Sequence, residues 1–174
     1  MSFAAAKGLT QSLEGGKSDN PDDPGGATNQ GITQATWQGL GFTGSVLDAT
    51  QTLLDLAYYK YWAGLKIYDP AITANRPLFE VAPSPADAVA FQFYFNVPPT
   101  AFIKAFQGVV GAKMDGVLGP LTLKALQGWN GRGAALSADL LSAQEWHYRG
   151  HAKPVFLPGL LHRVEKVREW LKNA

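Results

Sequence analysis

Residues 14–33 read EGGKSDNPDDPGGATNQGIT, a single glutamate followed by aspartates, prolines and paired glycines. Upstream, Phe3, Ala6, Leu9 and Leu13 recur at three- and four-residue spacing, which predicts an amphipathic helix over residues 2–14. Gly15 and Gly16 stop that helix, so Glu14 falls in its last turn. A helix C-terminus carries partial negative charge and disfavours an ionised carboxylate by roughly 0.3–1 kcal/mol when exposed. The same placement favours a neutral, proton-donating side chain, which is what a general acid needs. A solvated glutamate that merely ends a helix is the plainer alternative. The loop after the glutamate separates the two. Pro21 and Pro24 restrict the chain, and the glycine pairs permit backbone conformations closed to other residues. Such a loop can hold Asp23, Thr28 and Asn29 in a fixed relation to the helix end.

Working outward, Thr33 is placed to cap a short helix through Leu40 with Trp37 turned inward. A helix is expected over residues 50–62, where Leu53, Leu54, Ala57, Tyr58, Tyr61 and Trp62 make a broad apolar face. Residues 69–85 read as a proline-containing connection. Ser84, Pro85 and Asp87 then have the order of an N-cap, first helical position and acidic first turn. The next run, AVAFQFYFN, is apolar on nearly all sides and predicts a central core helix ended by Pro98 and Pro99. Further helices are expected over residues 100–110, 121–129, 137–151 and 157–172. Almost no stretch shows strand periodicity, so the expected fold is mainly α, with a short irregular or β-hairpin segment after the first helix.

The chain has 174 residues, 46% of them hydrophobic and 17% charged, enough to bury a core in one domain or in two small lobes. A net charge of +1 supplies no general attraction to nucleic acid. With no cysteine, thiolate metal sites, disulfides and thiol nucleophiles are excluded. His147 and His151 stand four apart on an expected helix, but no H-E-x-x-H motif accompanies them, and no metal site is expected. The start of the chain lacks the features of a signal peptide, which leads to the expectation of a cytoplasmic protein that reaches its target only when released.

The spacing of Glu14, Asp23 and Thr28 resembles that of phage-type lysozymes, with Thr28 one position nearer than in their pattern. A closer resemblance is to glycoside hydrolase family 108, phage endolysins and secretion-associated muramidases that degrade peptidoglycan. Its signature of Glu-Gly-Gly followed by DPGGxTxxGIT is matched by Glu14-Gly15-Gly16 and residues 23–33, and its later Tyr-Trp pair by Tyr61-Trp62. A second signature, a helix-ending Asn and a DGxxGPxTLxAL segment, is matched by Asn96 and residues 115–126. This chain departs from the pattern at Lys17, where an aromatic residue is usual, at Asn20, which replaces a frequent Asp, and at Gln92, where an Asp is common.

The resemblance implies a lysozyme-like α+β fold, with a catalytic lobe over residues 1–90 and a helical peptidoglycan-binding-like lobe over 91–174, packed as one unit. It implies a cofactor-free endolysin that cleaves the β-1,4 bond between N-acetylmuramic acid and N-acetylglucosamine. Glu14 would be the general acid, Asp23 the second carboxylate, and Thr28 the residue holding water. Asn29, Trp37, Tyr58, Tyr61, Trp62 and Asn96 are the candidate substrate contacts, since sugar rings pack on aromatic faces. Each aromatic residue also has a plain reading as core. Asp115-Gly116 and Gly119-Pro120 read first as a turn and a helix start. The expected partners are peptidoglycan glycan strands, with neither nucleic acid nor a second subunit. Weak contact with an anionic envelope is expected through Arg163, Lys166, Arg168 and Lys172 of the last helix. Release to the periplasmic wall would depend on a holin. The rival reading is a peptidoglycan-binding phage or secretion component without catalysis.

Overall fold

A computed structural model describes residues 3–19 and 26–174. Helix α1 (Phe3–Leu13) buries Ala6, Leu9 and Thr10 on one side, and Thr10 satisfies its buried hydroxyl by donating to the Ala6 carbonyl at 2.9 Å. Three two-residue strands come next as an antiparallel sheet in the order β1 (Lys17–Ser18), β2 (Thr28–Asn29), β3 (Ile32–Thr33). The short paired segment expected after the first helix is therefore present.

Thr33 caps α2 (Gln34–Gly39) by accepting from the Thr36 N–H at 3.1 Å, and Thr50 caps α3 (Gln51–Gly64) by accepting from that of Leu53 at 3.4 Å. Between them, Val46–Asp48 forms a single 3-10 turn. An antiparallel hairpin, β4 (Lys66–Asp69) with β5 (Ala74–Pro77), leads into the proline-containing connection expected over residues 69–85, which also holds a short helix α4 (Leu78–Val81). Lys66, Ile67, Tyr68 and Asp69 alternate between exposed and buried, which is the strand period, over too few residues to stand out in the sequence.

Helix α5 (Ala86–Phe95) is the axis of the molecule, and every residue from Ala86 to Tyr94 is buried. Its all-round apolar sequence fits that position, since it packs on α1 on one side and on α8 (Gly133–His151) on another. Phe91 and Phe93 are fully buried, each worth about 1.5–3 kcal/mol relative to exposure. Residues on both sides of position 90 share this core, so the division between the two expected lobes falls inside α5. Ser84 does not cap the helix, because Pro85 occupies the cap position without a side-chain hydrogen bond.

Helices α6 (Pro99–Val110), α7 (Pro120–Gln127) and α9 (Leu157–Leu171) complete the fold. α8 begins four residues earlier than its apolar period suggests. A Cβ on Gly133 would lie 1.8 Å from the Ser84 carbonyl oxygen, so only glycine lets the helix start sit on that backbone. In the turn before α7, Asp115 accepts from Gln107 at 2.9 Å and from the Val117 N–H at 3.0 Å, and these donors hold its carboxyl below the usual range, the Val117 bond foremost. Among the described residues no helix is long and apolar enough to cross a membrane.

Candidate active site

Glu14 is the first residue beyond α1, where its N–H donates to the Gln11 carbonyl at 3.2 Å. Its carboxyl lies against the turn joining β2 to β3. Asn29 pairs with Ile32 across that turn, and the two residues between them, Gln30 and Gly31, have φ of 49° and 77°. Two successive positive φ values give the tight hairpin turn whose twist matches that of the strands. Gly31 is required here twice over. Apart from its φ, a Cβ would lie 2.7 Å from both Cγ and Cδ of Glu14, inside van der Waals contact. The glutamate and the GIT end of its loop are thus two sides of one contact.

The turn is held from below. The Tyr58 hydroxyl donates to the Gln30 carbonyl at 2.6 Å, and the Gln30 side chain is tied to Gln11 at 2.8 Å and to Gln51 at 2.9 Å. A non-glycine residue at positive φ costs on the order of 1–3 kcal/mol, and these three bonds, with that from the Gln30 N–H to the Gly16 carbonyl at 3.3 Å, help to hold Gln30 there.

The far wall is Arg163. Position 163 adjoins Leu160, Val164 and Val167 on α9, so its side chain leaves the helix at the edge of the buried face. Its Nη1 donates to Glu14 Oε1 in a short contact, and its Nη2 lies 3.5 Å from Oε2. The two side chains are only 11% and 17% exposed. The sequence suggests an acid whose environment is set by its own helix; the structure adds a guanidinium from 149 residues away. Burial pushes the Tyr58 hydroxyl pKa up, with the nearby Glu14 charge adding to the effect. Tyr148 is raised chiefly by burial as well, while Arg163 and Glu14 act on it in opposite directions. Both tyrosines are therefore neutral hydroxyls beside Glu14 and Arg163.

Behind Tyr148 runs a buried amide network. Gln92 Nε2 donates to Gln144 Oε1 at 2.6 Å, and Gln144 Nε2 donates to Gln92 Oε1 at 3.3 Å and to the Tyr148 hydroxyl at 2.7 Å. Gln92 thus both gives and accepts a hydrogen bond across this pair. Asn96 donates to the Gln92 carbonyl at 2.7 Å. Beyond Asn96 and Tyr148, a cavity of about 680 Å³ opens between α6, α8 and the start of α9.

The structure brings few of the sequence candidates to this place. Asp23 lies outside the described residues. Thr28 is half-buried on β2, opposite Ser18 and Thr33. Asn29 is buried, and its amide donates to the Val46 carbonyl at 3.0 Å, which fastens the sheet to the 3-10 turn and leaves no face for substrate.

Trp37, Tyr58 and Trp62 do not wall a cleft. Trp37 is stacked on Phe42 at 4.1 Å with its indole N–H given to the Thr43 carbonyl, and Trp62 is enclosed by Phe79 and Phe91. Tyr58 is fully buried and stacked on Phe95 at 5.0 Å, so it positions the turn without meeting a sugar. Apolar area draws all three into the core, in keeping with their plain reading. Tyr61 is half-buried against Tyr94 and Phe95, and Asn96 is half-buried at the cavity wall.

Arg163 is legible in the sequence only as one of four basic residues on the last helix. Of the others, Arg168 is paired with Glu165 and Glu145, and Lys172 with Glu169. The expected basic face is therefore largely neutralised by carboxylates of α8 and α9. Tyr148 belongs to no sequence motif, although its spacing from Leu141 and Gln144 puts it on the buried side of α8.

Residues 8–115 match the family described as Glycosyl hydrolase 108. Among solved structures, that of Brucella abortus SagA is similar at 30% identity and a TM-score of 0.78, covering 98% of this chain and 94% of that one. No curated protein matches.

Proposed function

Because this chain belongs to glycosyl hydrolase family 108 and is therefore a glycoside hydrolase, we propose that its substrate is peptidoglycan. The bond cleaved is the β-1,4 link from N-acetylmuramic acid to N-acetylglucosamine, with Glu14 as general acid. The observation that carries this reading is the enclosure of one carboxyl between a glycine turn and a guanidinium, at the end of the loop that matches the family signature.

In the proposed reaction, protonated Glu14 gives its proton to the glycosidic oxygen as the C1–O bond breaks, so the leaving group departs as an alcohol and positive charge develops on the sugar. The carboxylate left behind meets Arg163, already in place with its N–H groups directed at it. A partner fixed before the step needs no reorganisation as the charge appears. Asp23 is the proposed second carboxylate, either taking the proton of the attacking water or facing the cationic sugar, and Thr28 is the proposed water ligand. In this reading the protein is an endolysin that a holin lets through to the wall, and a holin gene beside its own is the corresponding genetic observation.

The chemical test is to digest purified peptidoglycan and identify the new reducing sugar. N-acetylmuramic acid at that end supports the proposal. N-acetylglucosamine, a 1,6-anhydro sugar or cleaved peptide would each replace it with a different reaction.

A further inference from the structure

The cavity beyond Asn96 and Tyr148 has no part in the bond cleavage described above, yet it adjoins it. Tyr148 lines the cavity and stands close enough to Glu14 and Arg163 to respond to both charges. Leu160, another lining residue, is one helical turn before Arg163 on α9. A ligand with one part at Glu14 therefore has the cavity within reach for another part.

Its lining separates two kinds of occupant. Val97, Ala101, Ala105 and Leu160 make an apolar floor, and the charged or titratable groups around it are Lys104, His147 and His151, with the neutral Tyr148 hydroxyl. No aspartate or glutamate lines it among the described residues. The His147 and His151 rings stack at 4.5 Å, and His151 Nδ1 is engaged with the His147 carbonyl at 3.0 Å, which fixes both rings at the rim. A volume of about 680 Å³ is in the range that encloses a short peptide or a small organic ligand. The exposed Trp146 and the side chains of Asn96 and Thr100 also belong to the lining, so a glycan competes for the same place, and what favours a peptide is the Lys104 ammonium, which a carboxylate meets and a neutral sugar does not. A short peptide with methyl groups and free carboxylates matches an apolar floor beside Lys104.

The peptidoglycan reading names such a group. What distinguishes muramic acid from glucosamine is a lactyl ether that carries an acidic stem peptide. Resting on that reading, we propose that the cavity between α6, α8 and α9 receives the stem peptide of the muramic acid unit, with Lys104 meeting one of its carboxylates. The apolar floor takes the alanine methyl groups, and Asn96 marks the junction between peptide and sugar. The chain would then select muramic acid by its peptide as well as by its ring.

The test has two arms on the full chain. In the first, kcat/KM is compared on soluble glycan strands that carry stem peptides and on the same strands after an amidase has removed them. Wild type is expected to prefer the peptide-bearing strands by about tenfold, and Lys104→Glu to bring that ratio close to one. Equal rates on both substrates by an active wild type would overturn the cavity assignment and leave the glycosidase reading intact.

In the second arm, calorimetry measures binding of the free stem tetrapeptide, which needs no turnover and so stands apart from the fate of Glu14. Binding by wild type that weakens about tenfold in Lys104→Glu supports the proposal. Absence of peptide binding at millimolar concentration, or equal competition by a peptide-free N-acetylglucosamine oligomer, contradicts it. Lys104 is exposed, so its replacement leaves the fold in place, and Ala101→Leu, which fills the floor without touching a charge, is expected to weaken peptide binding in parallel.

Discussion

Among the described residues, two carboxylate–guanidinium contacts fasten α9 to the rest of the molecule, and they are built differently. Glu145 on α8 meets Arg168 on α9 at 2.7 Å and Arg149 on its own helix at 2.7 Å, while Arg168 also meets Glu165. Those side chains are 23% to 60% exposed, and Glu145 and Arg168 each have a second partner to fall back on. Glu14 and Arg163 are less than a fifth exposed, with Gly31 closing one side of the carboxyl. The first arrangement is a solvated network in which water and salt compete for every charge. The second holds one carboxyl in one place, which a stabilising surface contact does not require and an acid aimed at a single bond does. The same pair of functional groups thus does different work according to what surrounds it.

The contrast can be broken first at Gly31. Gly31→Ala puts a methyl group into the Glu14 side chain at a left-handed position. Displacing a reacting group by about 1 Å is expected to lower the hydrolysis rate on the order of a hundredfold, with a lower melting temperature besides. A fully active, equally stable Gly31→Ala protein would show that the enclosure is incidental.

Arg163→Ala comes next, because it leaves the enclosed Glu14 without its partner. A loss of about 2–4 kcal/mol is expected, between the values for exposed and buried pairs, or roughly 2–4 °C in Tm for each kcal/mol at this chain length. Denaturant unfolding that places the change below about half a kcal/mol would put this pair in the same class as the surface network.

Tyr58→Phe tests the support under the turn. It removes the hydroxyl that meets the Gln30 carbonyl, for an expected cost of about 1–2 kcal/mol, and it should slow hydrolysis by letting the turn drift from Glu14. Unchanged stability and rate would show the turn to be held without Tyr58, by its glutamine side chains and the Gln30–Gly16 backbone bond.

The smallest effect is expected at Glu145→Gln, within about 1 kcal/mol at neutral pH. Arg168 and then Arg149 hold the Glu145 carboxyl below its ordinary value of 4.5. A carboxyl lowered on folding stabilises the fold above that ordinary value and ceases to do so as pH falls through the lowered one. The Tm difference between Glu145→Gln and wild type should therefore shrink on acidification below about 4. A difference that grows in acid would reverse the assignment.

Much of the architecture is legible in the sequence because local signals agree with the tertiary setting. Thr33 and Thr50 cap the helices they precede, and the run through Phe91 and Phe93 is as buried as its all-round apolarity implies. The hairpin at residues 66–77 is hidden because β4 alternates over only four residues and β5 does not alternate in burial at all, too little to register as a period. Within the site, Glu14 and the GIT turn are visible as a motif, but their contact is not. Sequence spacing does not reveal that the absent side chain of Gly31 is what admits the carboxyl. Arg163 is hidden for a different reason, since its partner lies 149 residues away and its helical neighbours Arg168 and Lys172 are surface residues of the same charge. The aromatic residues mislead because stacking on a sugar and stacking in a core call for the same side chains, and only burial separates them.

The same change of carboxyl to amide in both settings is the most direct measurement. Purified peptidoglycan is digested with wild type, Glu14→Gln and Glu145→Gln, and new reducing ends are counted over time. Glu14→Gln is expected to lose about 10²–10⁴-fold in rate while remaining folded, and Glu145→Gln to stay within about twofold of wild type. A folded Glu14→Gln protein that releases reducing ends as fast as its parent would contradict the assignment of Glu14 as the acid.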